Sequence, residues 1–254
     1  MCNFIRIALL SVCTVCASAS VVAMPDVVSM LQTADDFRLE NASSKVVSLV
    51  TLYENGEQTK TRRYHVYTRP ERESLVVFKS KAEAGQKMLM LGDNYWLLMP
   101  KSRRPIRITP MQKLLGEASV GDISTLTWSE DYEGVWVKEE SILQEDGTEI
   151  PANLLQLKSV TKGASYHRIE LWLEKGSDFP LKANLYLRSG KLAKEARYSK
   201  GERKGRVVVS AMTLLDKIQP SKKTKIEYQS VEPLSLNDKY YNPAYLSRNQ
   251  VSDL

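Results

Sequence analysis

Cysteine is almost absent from the chain, and the few thiols lie at one end of it. The sequence contains three cysteines, Cys2, Cys13 and Cys16, all close to the amino terminus. If the leader segment described below is removed, the rest of the chain has no thiol. This absence excludes a disulfide framework, a cysteine nucleophile and a cysteine-ligated metal from the body of the protein.

Histidine is nearly as scarce, and the common catalytic motifs are missing. His65 and His167 are the only histidines, so no His-x-x-x-His or His-Glu pair is present to hold zinc. Ser165 lies near His167, but the Gly-x-Ser-x-Gly turn of a serine nucleophile is absent, as are phosphate-binding and dinucleotide-binding glycine motifs. We therefore expect no catalytic residue, no metal and no cofactor. A hydrolase using Ser165 or a carboxylate pair from distant strands is the enzymatic alternative.

Charge of neither sign dominates the sequence. Lys and Arg total 36 and Asp and Glu total 30, which gives a formal net charge of +6. Removal of Arg6 with the leader leaves 35 basic against 30 acidic residues, a net charge of +5. This balance is far from the dense basic patch of a nucleic-acid-binding protein, but the mild excess favours anionic partners.

Residues 1–23 have the pattern of a secretory signal peptide. Arg6 is their only charged side chain, and a short apolar stretch follows at residues 7–15. The sequence Val21-Val22-Ala23 fits the small-x-small cleavage rule, and Ala17-Ser18-Ala19 offers a second site. The leader predicts export of the chain from the cytoplasm.

Two alternatives for this leader remain open. Residues 7–24 carry no charge and are long enough to span a bilayer as an uncleaved anchor. A lipoprotein signal at Cys13 would place the bulky Val12 where a small residue is required. With the leader cleaved, residues 24–254 are predicted to form a single domain with a polar tail from about residue 234.

Two segments have the apolar spacing of amphipathic helices. In residues 26–38 a helical period is formed by Val27, Met30, Leu31, Ala34 and Phe37. In residues 110–118 a similar period is formed by Met111, Leu114, Leu115 and Ala118. Asp26 and Thr109 are placed to cap the two starts, and Pro110 suits a first helical position. The spacing predicts two short helices.

Most of the remaining chain alternates between apolar and polar residues, which is typical of strands. The predicted strands are 45–54, 58–69, 73–79, 86–92, 95–99, 104–108, 133–143, 150–159, 165–174, 179–188, 191–199, 205–217 and 223–231. The loops between them are short, so neighbours are expected to pair antiparallel. We predict an α+β protein, mainly antiparallel β: an incomplete, half-open β-barrel of about eleven strands, with a short α-helical lid over a hydrophobic cavity.

The central hairpin is apolar on both faces, which is unusual for an antiparallel sheet. Residues 88–91 and 95–99 are almost uninterrupted hydrophobic runs. Either both faces are covered or one face lines a cavity, and plain core is the alternative for any single residue. The predicted ligand-binding residues of groove and lid are Met30, Leu31, Phe78, Met88, Met90, Trp96, Leu98, Met111, Leu114 and Leu115. The sequence does not say which face of the hairpin lines the cavity.

A basic loop follows this hairpin. Residues 100–107 contain four positive charges between and beside two prolines. We predict that Arg103, Arg104 and Arg107 dock an anionic headgroup or an acidic partner beside the groove. A solvated turn is the alternative interpretation.

Three runs in this region resemble a known family. They are Gly85-x-x-Met88-Leu89-Met90-x-Gly92-Asp93-x-Tyr95-Trp96-Leu97-x-Met99-Pro100, then Arg104-Pro105-Ile106-Arg107-Ile108, then Leu115-Gly116-x-Ala118-Ser119-x-Gly121-Asp122. The chain resembles, over residues 26–231, the exported "outer membrane lipoprotein-sorting" proteins of the LolA/LolB-like superfamily. The first run is fairly specific, whereas the later similarity consists of ordinary hairpin sequences.

The resemblance implies an incomplete antiparallel barrel with a helical lid over a hydrophobic cavity. It also implies periplasmic carriage of lipid or lipoprotein acyl chains between envelope membranes, often with an ABC-type inner-membrane exporter, and without catalysis. We expect a monomer that touches membranes peripherally and binds no nucleic acid. The chain is longer than the lipoprotein carrier itself, which leaves the cargo open. The rival hypothesis is a sensor or adaptor that uses the same barrel to bind an envelope partner.

Overall fold

The structure is a computed structural model that describes residues 25–39, 42–102, 104–115, 118–123, 127–144, 146–249 and 254. The predicted signal peptide and Arg103 lie outside the described residues. Within these described ranges the chain forms four α-helices: α1 Val27–Asp36, α2 Val120–Ile123, α3 Trp128–Asp131 and α4 Pro243–Arg248. Two 3₁₀ helices span Lys81–Glu83 and Asp238–Tyr241.

Strands account for most of the described chain. They are β1 Ser44–Glu54, β2 Glu57–Arg69, β3 Glu73–Phe78, β4 Lys87–Leu91, β5 Asn94–Leu98, β6 Ile106–Ile108, β7 Lys113–Leu115, β8 Ala118–Ser119, β9 Tyr132–Leu143, β10 Glu149–Ser159, β11 Arg168–Glu174, β12 Pro180–Tyr186, β13 Leu192–Arg203, β14 Arg206–Asp216 and β15 Lys222–Pro233. The mainly antiparallel β prediction is confirmed.

Thirteen strands form one open sheet in the order β6-β5-β4-β3-β2-β1-β15-β14-β13-β12-β11-β10-β9. Each of the thirteen predicted strand segments corresponds to one of these strands, so the estimate of about eleven was too low by two. The chain forms two meanders that meet where β1 pairs with β15. All pairings in the sheet are between antiparallel neighbours because short turns join nearly all consecutive strands.

The sheet curls so that its two ends contribute to one core on its inner face. That inner core contains Val76 and Met88 from one end and Leu155 and Leu171 from the other. Register shifts in several strand pairs, such as the one at Val47/Ser48, provide the local bends that a curled sheet requires. We call the opposite surface the outer face.

Helix α1 packs against the inner face, as its spacing predicted. Asp26 caps the helix by accepting hydrogen bonds from the backbone N–H groups of the first turn. Met30 and Leu31 are buried in the inner core. Gly134 allows the close approach, because a Cβ atom there would lie 2.8 Å from Val27 Cγ1 and 2.8 Å from Leu157 Cδ2.

The prediction of a second helix at residues 110–118 is wrong. The described residues of this segment instead contribute to the strands β7 and β8, which pair antiparallel, and the backbone N–H of Gly121 donates to the carbonyl of Pro110. A nine-residue helix has little intrinsic stability in water, so tertiary pairing outweighs a weak periodic signal. Among the residues described between 110 and 131, helical structure is found in α2 and α3.

The outer face of the central hairpin is covered by the C-terminal segment, which we define as residues 234–249 and Leu254. Tyr241, Leu246 and Leu254 from this segment pack on strand residues such as Leu75 and Leu89. Asn242 caps α4 by accepting from the N–H groups of Ala244 and Tyr245. Because the inner face of the same strands carries the main core, both faces of this hairpin are covered by the protein itself.

Candidate functional site

A solvent-connected cavity of about 420 Å³ lies between the inner face of the sheet and the segment formed by α1, α2 and α3. We call it the inner cavity. Strands β1, β2 and β15 form its floor, and side chains from the three helices form its roof and walls. Its volume is within the range of small-molecule sites in proteins.

The floor of the inner cavity is an apolar strip bordered by small polar groups. Val46 pairs directly with Val231 on one side and Val66 on the other, so three valines lie side by side across three strands. Two positions away along β1 in each direction, on the same face as Val46, is a buried serine, Ser44 or Ser48. The strip therefore offers an apolar contact surface about two strand spacings wide, roughly 10 Å.

The wall of the inner cavity contains a buried ion pair. Lys194 Nζ lies 2.8 Å from Asp122 Oδ2, and both side chains are at most 5% exposed. Asp122 also accepts hydrogen bonds from Ser119 and from the Tyr166 hydroxyl. Burial acts to raise the pKa of Asp122, but the Lys194 ammonium and the hydrogen bonds from Lys194 and Ser119 lower it below its ordinary value.

A second buried carboxylate, Asp35, joins the two helices of the roof. It accepts from the backbone N–H groups of Trp128 and Ser129, each at 2.8 Å, and from Ser129 Oγ at 2.9 Å. Arg38 Nη1 lies 3.2 Å from Asp35, and its guanidinium stacks 3.9 Å from the Trp128 ring. Burial is the largest influence on Asp35 and raises its pKa above the ordinary value.

Replacement of Asp35 with alanine is expected to lower the free energy of unfolding by about 1–3 kcal/mol. The change leaves the Trp128 and Ser129 N–H groups buried without an acceptor. Asp35→Asn should cost less, because its amide oxygen can still accept. Urea denaturation at pH 7 measures both, and Asp36→Ala, an exposed neighbour, serves as the control with an effect within about 0.5 kcal/mol. Equal losses for Asp35→Ala and Asp36→Ala would contradict this role.

The raised pKa of Asp35 also has a predictable pH dependence. The folded protein binds this proton more tightly than the unfolded chain does, so the stability contributed by Asp35 falls as pH rises from 3.8 through the raised folded pKa. That fall should be missing from the Asp35→Asn variant. Chemical denaturation of both proteins across acidic pH measures the difference, and identical profiles would contradict the assignment.

The structure does not bring all predicted groove residues together. Five of them, Met30, Leu31, Phe78, Met88 and Met90, are buried in the inner core, and Met111 packs against that core. None of these six lines the inner cavity, whose floor lies further along the sheet. Leu114 and Leu115 belong to β7, and their side chains lie outside the described residues.

Trp96 and Leu98 are on the outer face, so their grouping with Met88 and Met90 is corrected. Leu89 pairs directly with Trp96, whereas Met88 pairs with Leu97, and cross-strand partners share a face. Trp96 and Leu98 contribute to the cluster covered by the C-terminal segment. Strand alternation explains the error, because consecutive apolar residues must point to opposite faces.

The basic loop is also separated from the inner cavity. Arg104 and Arg107 are exposed, and the Arg107 guanidinium lies 4.7 Å from the Trp96 ring on the outer face. Arg107 Nη2 donates to Asn94 Oδ1 at 2.6 Å. The prediction that this loop lies beside the cavity mouth is therefore wrong for Arg107, and Arg103 lies outside the described residues.

The sequence analysis missed the residues that do line the inner cavity. Val46, Val66 and Val231 occur in strands with ordinary alternation, which indicates a buried face but does not distinguish a filled core from a cavity floor. The sequence analysis also did not single out Asp35, which is only 6% exposed. The burial of Asp35 could have been inferred from its position, because it lies on the apolar side of the predicted helix beside Leu31 and Ala34.

The residues considered for catalysis are not arranged as a catalytic group. His167 is exposed, with Nδ1 3.4 Å from Ser159 Oγ. Ser165 Oγ is buried, lies against Gly121, and has no hydrogen-bond partner within the described part of the chain. Over the same residues, no cluster of three or more His, Cys, Asp or Glu side chains is arranged to hold a metal. None of the helices described combines the length and apolar character needed to span a bilayer.

Comparisons with known proteins place the chain in a family. A family model described as "-like: Uncharacterized protein" matches residues 70–248. A LolA superfamily protein from Nitrosomonas europaea superposes with a TM-score of 0.77 at 26% identity, covering 85% of this chain and 97% of that chain. No curated protein matches the chain.

Two further solved structures share the fold. A putative outer membrane lipoprotein-sorting protein domain from Vibrio parahaemolyticus superposes with a TM-score of 0.69 at 19% identity, covering 87% of this chain and 98% of that one. A DUF1329 family protein from Desulfovibrio piger has a TM-score of 0.69 at 21% identity, covering 86% and 97%. With the curled sheet and the short helices on its inner face, these matches show that the chain belongs to the LolA-like superfamily.

Proposed function

We propose that the protein is an exported, non-catalytic periplasmic carrier that binds an acyl chain of lipid or lipoprotein in the inner cavity. It would shuttle the chain between envelope membranes as a monomer, with an ABC-type exporter as the inner-membrane partner. The observation that carries the proposal is the cavity of about 420 Å³ with an apolar floor under a helical roof. The solved relatives described as LolA and lipoprotein-sorting proteins support the class of function and the compartment.

The energetics of an acyl chain in water explain why such a site is needed. Exposure of each methylene to water costs about 0.8 kcal/mol. Transfer of a long acyl chain from water into an apolar site is therefore favourable by roughly 10 kcal/mol. The valine strip of the floor provides apolar contact for the chain. Charged side chains of both signs at the wall, including Arg38, Arg203, Glu71 and Glu130, lie where a polar headgroup would remain. The site thus suits an amphiphile better than a purely apolar ligand.

Ligand entry would require part of the roof to move away from the floor. Four-residue helices such as α3 have little stability of their own, and α3 is attached to α1 through Asp35. We propose that ligand entry moves α1 and α3 away from the floor while the sheet stays intact. No nucleotide-binding motif is present in the sequence, so the driving energy would come from a partner or from a downhill affinity gradient.

Organic extraction of the purified protein, followed by mass spectrometry, is the direct test. We expect lipid to copurify and the delipidated protein to take up a fluorescent fatty acid. A protein that holds no lipid and takes up no fatty acid would contradict the proposal. A protein that binds a fatty acid but transfers none between vesicles would favour the sensor or adaptor function instead.

Val46→Trp is expected to weaken fatty-acid uptake by at least about tenfold, because the indole would fill the middle of the valine strip. The matched control is Val47→Trp. Val47 is the next residue of β1, pairs with Ser230 and His65, and faces outward. Fluorescence titration measures uptake, and thermal unfolding confirms that both variants fold. Equal uptake by the two folded variants would show that the chain does not bind on this floor.

A further inference from the structure

A row of basic side chains crosses the outer face of the sheet, away from the inner cavity. On six neighbouring strands, the residues directly opposite one another are Thr61, Thr51, Lys225, Thr213, Arg197 and Lys182. Three of the six are cationic and none is acidic. Neighbouring strands are about 4.8 Å apart, so the row extends roughly 24 Å.

Adjacent positions enlarge this row into a basic face. We define the basic face as Lys45, Arg63, Lys182, Arg197, Lys217, Lys223 and Lys225. The carboxylates beside them are Glu140, Glu195, Glu227 and Glu232, and Glu227 lies 2.8 Å from Lys225. Seven cations against four carboxylates leave a local surplus of three positive charges.

Concentrating like charges in this way works against folding. Lys182 lies directly opposite Arg197, and like charges in that position destabilise a sheet. Glu195 reduces the repulsion, since it lies 2.8 Å from Arg197, 2.8 Å from Lys217 and 3.9 Å from Lys182. One carboxylate shared by three cations leaves the area positive.

The pKa of His65 is affected by the same positive electrostatic potential. Its side chain is on the outer face, opposite Val47. Burial lowers the pKa of His65 first, and the nearby charges of Lys45, Lys79 and Arg63 lower it further, to about 4. The imidazole is therefore neutral at physiological pH, in an environment that repels another positive charge.

We propose that the basic face docks on the surface of an anionic phospholipid membrane. The cations are spread over a broad surface rather than gathered in a cleft, and none of the seven lines the inner cavity. Five of the seven are lysines, which are mobile point charges suited to a diffuse array of phosphates. Tyr53 and Leu49 lie among them, and the Lys223 ammonium is 4.9 Å from the Tyr53 ring. An amphipathic tyrosine between lysines is typical of a membrane–water interface.

This orientation would leave the roof of the inner cavity facing away from the bilayer, since the two surfaces are on opposite faces of the sheet. Docking is therefore independent of whether the cavity takes an acyl chain, and the two proposals can fail separately. An acidic protein surface is the competing partner, and the following experiment distinguishes it.

Cosedimentation with vesicles tests the proposal. The probe is phosphatidylcholine vesicles with and without one third phosphatidylglycerol. We expect binding only to the anionic vesicles, and loss of binding when salt shortens the electrostatic range. The triple variant Arg63→Gln, Lys223→Gln, Lys225→Gln should bind at least about tenfold more weakly. The matched control, Lys158→Gln, Lys162→Gln, Lys191→Gln, loses the same charge from exposed positions elsewhere and should bind like the unaltered protein.

Thermal unfolding and fatty-acid uptake should be unchanged in both triple variants, which separates docking from folding and from cavity binding. Equal weakening by the two variants would show a general charge effect and overturn the proposal. No binding to anionic vesicles at low salt would also overturn it, and would leave an acidic protein as the partner of this face.

Discussion

Replacing Lys194 with methionine is expected to lower the free energy of unfolding by about 3–5 kcal/mol. The change keeps most of the side-chain volume but leaves the Asp122 carboxylate buried without its cation. Removal of one partner of a buried ion pair is among the most destabilising single substitutions, because an ion taken out of water keeps its full desolvation cost. Urea denaturation at pH 7 with two-state analysis measures the loss.

The double variant Asp122→Asn, Lys194→Met is the control for this result. It removes both charges, so no uncompensated ion remains, and it should recover most of the lost stability. Lys191→Met, an exposed lysine in the turn before β13, should change the unfolding free energy by less than about 0.5 kcal/mol. If Lys194→Met and Lys191→Met are equally mild, the buried pair does not stabilise the wall of the inner cavity.

The pH dependence of this pair follows from the lowered pKa of Asp122. The ordinary value is 3.8 and the folded value lies below it, so the contribution of Asp122 is present above pH 3.8 and is lost as pH falls through the folded pKa. In Lys194→Met the pKa of Asp122 should rise, because burial, the largest influence, is no longer opposed by the Lys194 ammonium, although the hydrogen bonds from Ser119 remain. The stability difference between the two proteins should therefore shrink on acidification. A difference that is constant with pH would contradict the assignment.

The second large effect is expected for Arg72→Ala, with a loss of about 3–5 kcal/mol. Arg72 lies in the turn between β2 and β3, and its guanidinium bridges Asp131 at 2.5 Å and Asp93 at 2.9 Å. Asp131 ends α3 and is only 1% exposed, so removal of Arg72 leaves a buried carboxylate with neutral hydroxyl donors, Thr161 and Thr127, in place of its cation. Chemical denaturation measures the loss.

This cluster also ties the two ends of the curled sheet together. Asp93 accepts from the backbone N–H of Gly163 at 3.0 Å, and the Tyr95 hydroxyl donates to the Gly163 carbonyl at 3.1 Å. Arg72→Ala is therefore expected to raise amide exchange in β4 and β5 as well as to lower global stability. Arg188→Ala, at an exposed turn, serves as the control. A uniform rise in exchange across the whole sheet would argue against a local tie.

A large part of the fold was predictable from the sequence. Period-two alternation and glycine turns located all thirteen strands of the main sheet, because alternation is a local property that each strand carries by itself. Asp26 and the spacing of Met30, Leu31 and Ala34 located α1 for the same reason. The family resemblance depended on the central hairpin, whose two apolar faces are unusual enough to be recognised.

The errors arose where the helical period was short or where both faces of a strand were apolar. The segment 110–118 has a helical period over only nine residues, and the pairing of β7 with β8 outweighed it. In the central hairpin, alternation predicted that Met88 and Leu89 point to opposite faces, but not which of them faces the inner core. Trp96 was assigned to the wrong surface because its register against Leu89 is set by strand pairing.

The sequence by itself determined the strands, their order of pairing along each meander, the first helix, and the poverty of catalytic and metal-binding chemistry. Only the tertiary structure decided where the inner cavity lies. Val46, Val66 and Val231 are ordinary strand residues until β1, β2 and β15 lie side by side, although Val231 is separated from the other two by more than 160 positions. Whether such a strip becomes part of a filled core or the floor of a cavity depends on the curvature of the whole sheet and on how much of its inner face the helices cover. Neither property can be read from a local sequence pattern, because both depend on segments far apart in the chain.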